Sequence, residues 1–426
     1  VLAEPDILLK NAAVHVSDPG RISRIEPWNN PPPHLPVQVV DWGSAVIMPG
    51  MVNAHTHLEL TNPGDHRLPH HCFADRIQQF LSMRGLRTQE TRRASAREGV
   101  RLALSSGTTM VGDFGSGAVS RAAAEEGGLK GVLFEEMMGF SKDQAEEALS
   151  KLSRLPELPD TGFLLEQGIS PHAPYSASPD LYRHAAEIAR RSGKLLATHA
   201  AGTMEEIEFL EKGSGRFREF LSASGILPAS WVPPGLPPVP YLDSLGILGS
   251  NCLLIHCNCL DRESIQRILK TRSSVVYCPR LHEDSGCGDH PVRQLLDSGI
   301  NVALGTGSLA CNTSLSIIDE MRFLYKKRKD IKAEEIFRAA TLNGAAALNR
   351  GASLGRLRRG YWADMTVLAL PENVGARQLL NQILEGAGEC LATIIQGRIV
   401  WEKETPKEVG PDRDAPGSDF RPPNAR

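Results

Sequence analysis

Along this 426-residue chain, short β-rich runs alternate with longer segments of helical period, and few folds accept such a pattern. The runs are AVIMPGMVNAHTH from Ala45, GTTMVGDF from Gly107, GVLFEEMM from Gly131, FLLEQGIS from Phe163, KLLATHA from Lys194, CLLIHCNCL from Cys252, SSVVYCPR from Ser273 and NVALGTGS from Asn301. Between them, segments such as SPDLYRHAAEIARRSGK and DRESIQRILKTR return apolar residues at three- and four-residue spacing behind a Ser or Asp cap. Eight strands alternating with helices is the count of an α/β (β/α)8 TIM barrel. An open doubly wound sheet would place a glycine fingerprint after its first strand, and GMVNAHTH has none.

Both ends of the chain break the alternation. Residues 1–44 and 353–403 read as short strands separated by turn residues, and we expect them to form one small β-domain, leaving 45–352 to the barrel. The tail 404–426, rich in proline and charge, is expected to be disordered. The proline-rich insert PASWVPPGLPPVPYLDSLG is expected to be a loop against the barrel mouth. Forty-seven basic against 50 acidic residues give a net charge of -3 with no basic stripe, which argues against nucleic acid or an anionic membrane and for a small-molecule substrate. No apolar run approaches the ~18 to 20 residues of a membrane span, and VLAEPDILLK is unlike a signal peptide, so a cytoplasmic protein is expected. Eight cysteines (72, 252, 257, 259, 278, 287, 311, 390) are too dilute for a disulfide framework and agree with a reducing compartment.

Alternation along a strand points His55 and His57 of NAHTH the same way, within reach of one metal ion. The pair alone also fits two solvated loop histidines. His172 in SPHAPYS, His199 in ATHAAG and His256 in LIHCNC strengthen the metal reading, because each falls at the end of an expected strand, and in a barrel these ends share one face. Three neutral imidazoles leave a zinc ion one open position, where the pKa of a water falls toward ~7. His66, His70 and His71 lie in a polar loop and His15, His34 and His184 lie off that face, so all six read as solvated surface. Cys257 and Cys259 alternate with Asn258 onto the face opposite His256 and read as core thiols.

From about Leu8 to Trp401 the chain resembles the amidohydrolase superfamily. Within it, the likeness is to the deaminase and chlorohydrolase branch, which holds aminofutalosine deaminase-like and methylthioadenosine/S-adenosylhomocysteine deaminase-like enzymes. The resemblance rests on PGMVNAHTHLEL, GTTMVGD, SPHAPYS, THAAGTMEEIEFLEKGSGRFREFL, LIHCNCLDRESI, CPRLH and NVALGTGSLACNTSLSIIDEMR, in the family's order. It implies a barrel flanked by a β-sandwich from both chain ends, and one divalent metal, zinc or iron, on His55, His57 and His199. It also implies a catalytic His256 directed at the reacting water and a substrate-binding His172.

Two departures bear on catalysis. Where the family has Gly-Thr-Asp-Ser, this chain reads Gly305, Thr306, Gly307, Ser308, so the carboxylate that contacts the metal and accepts a proton is missing. Where family deaminases carry His-x-x-Glu, Gly202 stands in place of the Glu that shuttles a proton. Leu281 in CPRLH and Arg76 in FADRI are smaller departures. Glu205, Glu206, Glu283 and Asp284 lie nearby but at another phase or in another loop. Two readings therefore stand. One is a metal-dependent hydrolase of non-peptide C–N bonds, deaminase-like and acting on a purine-like amino-heterocycle. The other is a catalytically impaired homologue that binds a small molecule or serves as an inactive subunit. The binuclear hydantoinase or dihydroorotase type is set aside, since ISPHAPYS lacks a bridging lysine. The sequence leaves a homo-oligomer open.

Overall fold

A computed structural model describes residues 1–28, 38–61, 87–154, 165–283, 287–370 and 378–404. His34, His66, His70, His71, Cys72, Arg76, Asp284 and the tail from 405 lie outside them.

Eight parallel strands, Met51–Thr56, Thr108–Gly115, Lys130–Met137, Leu165–Pro171, Leu196–Ala200, Cys252–His256, Ser274–Tyr277 and Val302–Leu304, pair in sequence order. The sheet closes where Thr56 bridges Gly307 and the amides of Thr306 and Gly307 both donate to the His55 carbonyl, at 2.9 and 3.0 Å. The strands are buried almost throughout, as a barrel covered by helices requires. The interior is packed by Val52, Ala54, Met110, Phe114, Val132, Phe134, Ala197, Leu253, Ile255, Val276 and Ala303. Helices follow the strands with the expected caps: Ser178 Oγ accepts from the Leu181 amide at the start of Pro179–Ser192, and Asp261 caps Arg262–Thr271 in the same way.

The run AVIMPGMVNAHTH is two strands rather than one. Ala45–Pro49 leaves the barrel and pairs antiparallel with Met365–Ala369, in a four-stranded sheet completed by Cys390–Ile395 and Arg398–Glu402. Gly50 is the break: its amide donates to the Asp364 carbonyl at 3.0 Å, and a Cβ there would lie 2.1 Å from Thr109 Oγ1. The hairpin of Ala12–Ser17 and Arg21–Pro27 packs against this sheet through Ile22, Val14 and Ile25, which meet Met365, Val367, Ala392 and Ile394. Both chain ends thus share one apolar layer beside the barrel.

The proline-rich insert is only partly a loop. Its second half is the helix Pro238–Ser244, opened by a proline at the first turn and buried along Val239, Tyr241 and Leu242. Trp231 of its first half stacks on Phe209, with ring centroids 4.5 Å apart. Among the described residues no helix is long and apolar enough to cross a membrane.

Candidate active site

Five histidines meet at the C-terminal ends of the barrel strands. His55 stands near the end of strand one, His57 just beyond it, His172 after strand four, His199 on strand five and His256 at the end of strand six. The His199 ring lies 5.0 Å from His55, 5.9 Å from His57, 4.9 Å from His172 and 5.4 Å from His256, between ring centroids. Gly305 is needed for this approach, because a Cβ there would sit 2.7 Å from that of His55.

Backbone carbonyls fix two of the rings. His57 Nδ1 donates to the Phe114 carbonyl at 2.9 Å and His199 Nδ1 to the His172 carbonyl at 2.9 Å, which leaves each Nε2 with a lone pair. His55 is fully buried, and its Nδ1 has no hydrogen-bond partner among the described residues. Burial, then the imidazoles of His57, His199, His256 and His172, hold His55 well below the ordinary histidine range. Burial and the nearby His199 and His57 do the same to His256. Burial lowers His199 as well. Neutral rings that keep a lone pair on one nitrogen are the form that binds a metal, and the orphaned buried nitrogen of His55 beside them fits one.

Donor atoms of His55, His199 and His256 lie within 4.8 Å of one another, and so do those of His57, Glu136 and His199. The expected ligands are thus split between two groups that share His199, one pairing it with His55 and His256, the other with His57 and with a carboxylate absent from the sequence reading. Glu136, near the end of strand three, puts Oε1 3.9 Å from both His172 Nε2 and His199 Nδ1. Its neighbour Glu135 turns the other way, accepting from the Gly117 amide at 2.9 Å. Two acidic residues inside an otherwise apolar strand were the available signal, since alternation sends one of them inward.

Other groups hold the site's framework. His172 Nδ1 is 2.7 Å from Ser176 Oγ, and His290, which the sequence reading did not single out, donates from Nε2 to the His256 carbonyl at 3.0 Å. His256, Cys257 and Ala201 all hold positive φ, of 77°, 52° and 52°. Left-handed backbone at three non-glycine residues is strain of the sort that collects at functional sites. Cys257 is buried in the core as expected; Cys259 is half-buried instead, with its Sγ 3.3 Å from that of Cys287. His15 is paired with Glu26 at 2.9 Å on a terminal hairpin, and His184 is exposed on its helix.

Both glycine positions lie in this cluster. Gly307 has φ of +64°, and among the described residues outside its chain neighbours a Cβ there would meet only Leu281, at 3.7 and 3.8 Å. At Gly202 a Cβ would lie 3.7 Å from Glu206 Oε2 and 3.7 Å from His256 Cδ2. Glu206 Oε2 accepts from the Gly202 amide at 2.8 Å, so the first turn of helix Met204–Lys212 carries this carboxylate back beneath residue 202. Glu283 instead is exposed and pairs with Lys327.

The model of the Amidohydrolase family matches residues 46–400, and the chain belongs to that family. It is 28% identical over 389 residues to 5-methylthioadenosine/S-adenosylhomocysteine deaminase of Pyrococcus horikoshii, covering 85% of each chain. To 5'-deoxyadenosine deaminase of Methanopyrus kandleri it is 27% identical over 399 residues, covering 86% of this chain and 83% of that one. Among solved structures, Helicobacter pylori aminofutalosine deaminase in complex with methylthio-coformycin superposes with a TM-score of 0.79 at 24% identity, over 92% of this chain and 95% of that one. A zinc-bound adenosine deaminase from Xanthomonas campestris gives 0.74 at 23% identity, over 92% and 89%. At these identities the structural likenesses bear on the fold, a TIM-type barrel with a sheet built from the chain ends.

Proposed function

We propose that this protein is a metal-dependent deaminase that releases ammonia from a purine-like amino-heterocycle, working in the cytoplasm with one zinc ion, or iron in its place. The observation that carries the reading is the convergence of five buried or half-buried histidines, two with Nδ1 tied to a carbonyl and one with an orphaned Nδ1. His55, His57 and His199 would hold the metal, and Glu136 offers a carboxylate oxygen among the same donor atoms. Bound there, the ion supplies Lewis acidity that makes water a nucleophile near neutral pH.

The chain's own groups do the rest. His256, neutral and pinned through its carbonyl by His290, orients the attacking water. His172, braced by Ser176, binds the heterocycle. The relatives named for deamination of adenosine-type nucleosides support a substrate of that class. The inactive-subunit alternative draws on Gly202 and Gly307 alone, while Glu206 and Glu136 place carboxylates within the same cluster. The test pairs elemental analysis of zinc-loaded protein with an ammonia-release screen on aminopurine nucleosides. Stoichiometric zinc with turnover is expected; zinc-loaded protein inert on the whole panel would overturn the reading.

A further inference from the structure

We infer that Glu206 carries the proton that the residue at 202 carries in enzymes with the His-x-x-Glu pattern, acting across the space that Gly202 leaves open. The inference rests on the hydrolase reading above. A Cβ at residue 202 would have two heavy atoms within 4 Å among the described residues outside its own chain neighbours, Glu206 Oε2 and His256 Cδ2, each at 3.7 Å. One point therefore lies within van der Waals reach of both the carboxylate and the histidine that orients the water. A glutamate at 202 would start from that point; Glu206 reaches it from the helix below.

A role confined to the helix end accounts for less. Thr203 caps helix Met204–Lys212 by accepting from the Glu206 amide at 3.3 Å, and a glutamate at this third position ordinarily reaches back to the cap residue's amide. Glu206 reaches past it to Gly202, with the side chain buried and Oε1 without a hydrogen-bond partner among the described residues. Helix ends favour a carboxylate without requiring its burial. Here burial pushes the carboxyl up to about 8, where a group both gives and takes protons near neutrality.

The proton balance is complete. As water adds to the amino-bearing carbon, protonated Glu206 gives its proton to the adjacent ring nitrogen through a water above Gly202. The carboxylate takes up the proton that the attacking water loses and passes it to the amino group; as the C–N bond breaks it takes the proton of the added hydroxyl, so that ammonia leaves, a carbonyl remains in the ring and Glu206 is protonated again. Water and amine go in, ammonia and carbonyl come out, and Glu206 ends as it began.

The test compares the zinc-loaded parent with Glu206→Gln and with Gly202→Glu in the Glu206→Gln background. The first change should lower kcat by about 10²- to 10⁴-fold with zinc content unchanged, and the second should restore at least about tenfold of it. An independent readout uses metal-free protein: the infrared carbonyl band of a protonated carboxyl, missing in Glu206→Gln, should shift when purine riboside binds the parent. A parent inert on every aminopurine nucleoside overturns the hydrolase reading and this inference together. An active parent whose turnover survives Glu206→Gln within about threefold, or whose carboxyl band ignores purine riboside, overturns the role of Glu206 alone.

Discussion

Gly307 is where one missing side chain should matter most. A carboxylate there would add a charged oxygen to a set of imidazoles, and among the described residues outside its chain neighbours only Leu281 lies in contact range of a Cβ. Its φ of +64° is the left-handed region, which Asp enters more easily than most residues. Gly307→Asp should therefore slow zinc loss to a competing chelator by at least about tenfold while lowering stability by ~1 kcal/mol. Unchanged zinc release would place the metal away from strand eight. His55→Ala with His57→Ala should abolish zinc binding, and a double variant retaining the parent's zinc content would refute the ligand assignment. Glu206 gives a pH test with a definite sign. Its folded-state pKa of about 8 lies above the ordinary glutamate value of 4.5, so its contribution to stability is complete below about pH 4.5 and fades as pH rises through about 8. Glu206→Gln cannot lose a proton, so metal-free Glu206→Gln should match the parent near pH 4.5 and exceed it by more than ~1 kcal/mol at pH 9. Equal denaturant midpoints at both pH values would show that the carboxyl is not held protonated. The five histidines were legible because strand ends in a barrel share a face. Glu206 was not, because its closeness to residue 202 depends on how a loop enters a helix, and no strand or helix period records that.

At the scale of elements, periodicity identified the strand-helix alternation and failed where an apolar run changes partners. Ala45 to Thr56 reads as one strand, since both halves are buried, and burial alone does not say in which sheet. What divides it is Gly50, whose Cα faces the Thr109 side chain at the start of strand two. The proline-rich insert failed for the opposite reason: proline suits the first turn of a helix, and Val239, Tyr241 and Leu242 have a core to pack into. Gly50→Ala tests the first point. The methyl would meet Thr109 Oγ1, Cγ2 and Cβ at 2.1, 2.3 and 2.7 Å, so strand one or strand two must move. Overpacking of this kind costs about 1 to 3 kcal/mol, which urea denaturation would read as a lower midpoint at constant slope. Pairing it with Thr109→Ala should recover most of the loss, and no recovery would mean that Gly50 is required for its backbone alone.

Barrel and end sheet are joined by more than apolar contact. Lys130, fully buried at the start of strand three, places Nζ 2.8 Å from Asp364 Oδ1, and the same oxygen accepts from the Gln396 amide at 2.9 Å. Asp364 precedes strand Met365–Ala369, and Gln396 follows strand Cys390–Ile395, so one carboxylate ties two strands of the end sheet to the floor of the barrel. Burial lowers the lysine and raises the aspartate despite their attraction, so the pair is held at a cost. Removing one partner strands the other. Asp364→Ala should destabilise the protein by about 3 to 5 kcal/mol, whereas Lys130→Met with Asp364→Leu should cost much less, because no charge is left in the interior. The floor lies at the opposite end of the strands from the histidines, so the double variant should keep the parent's zinc content. A double variant as unstable as Asp364→Ala would show that the Gln396 amide, left without its acceptor, matters more than the ion pair, and that the end sheet is anchored chiefly through its own backbone.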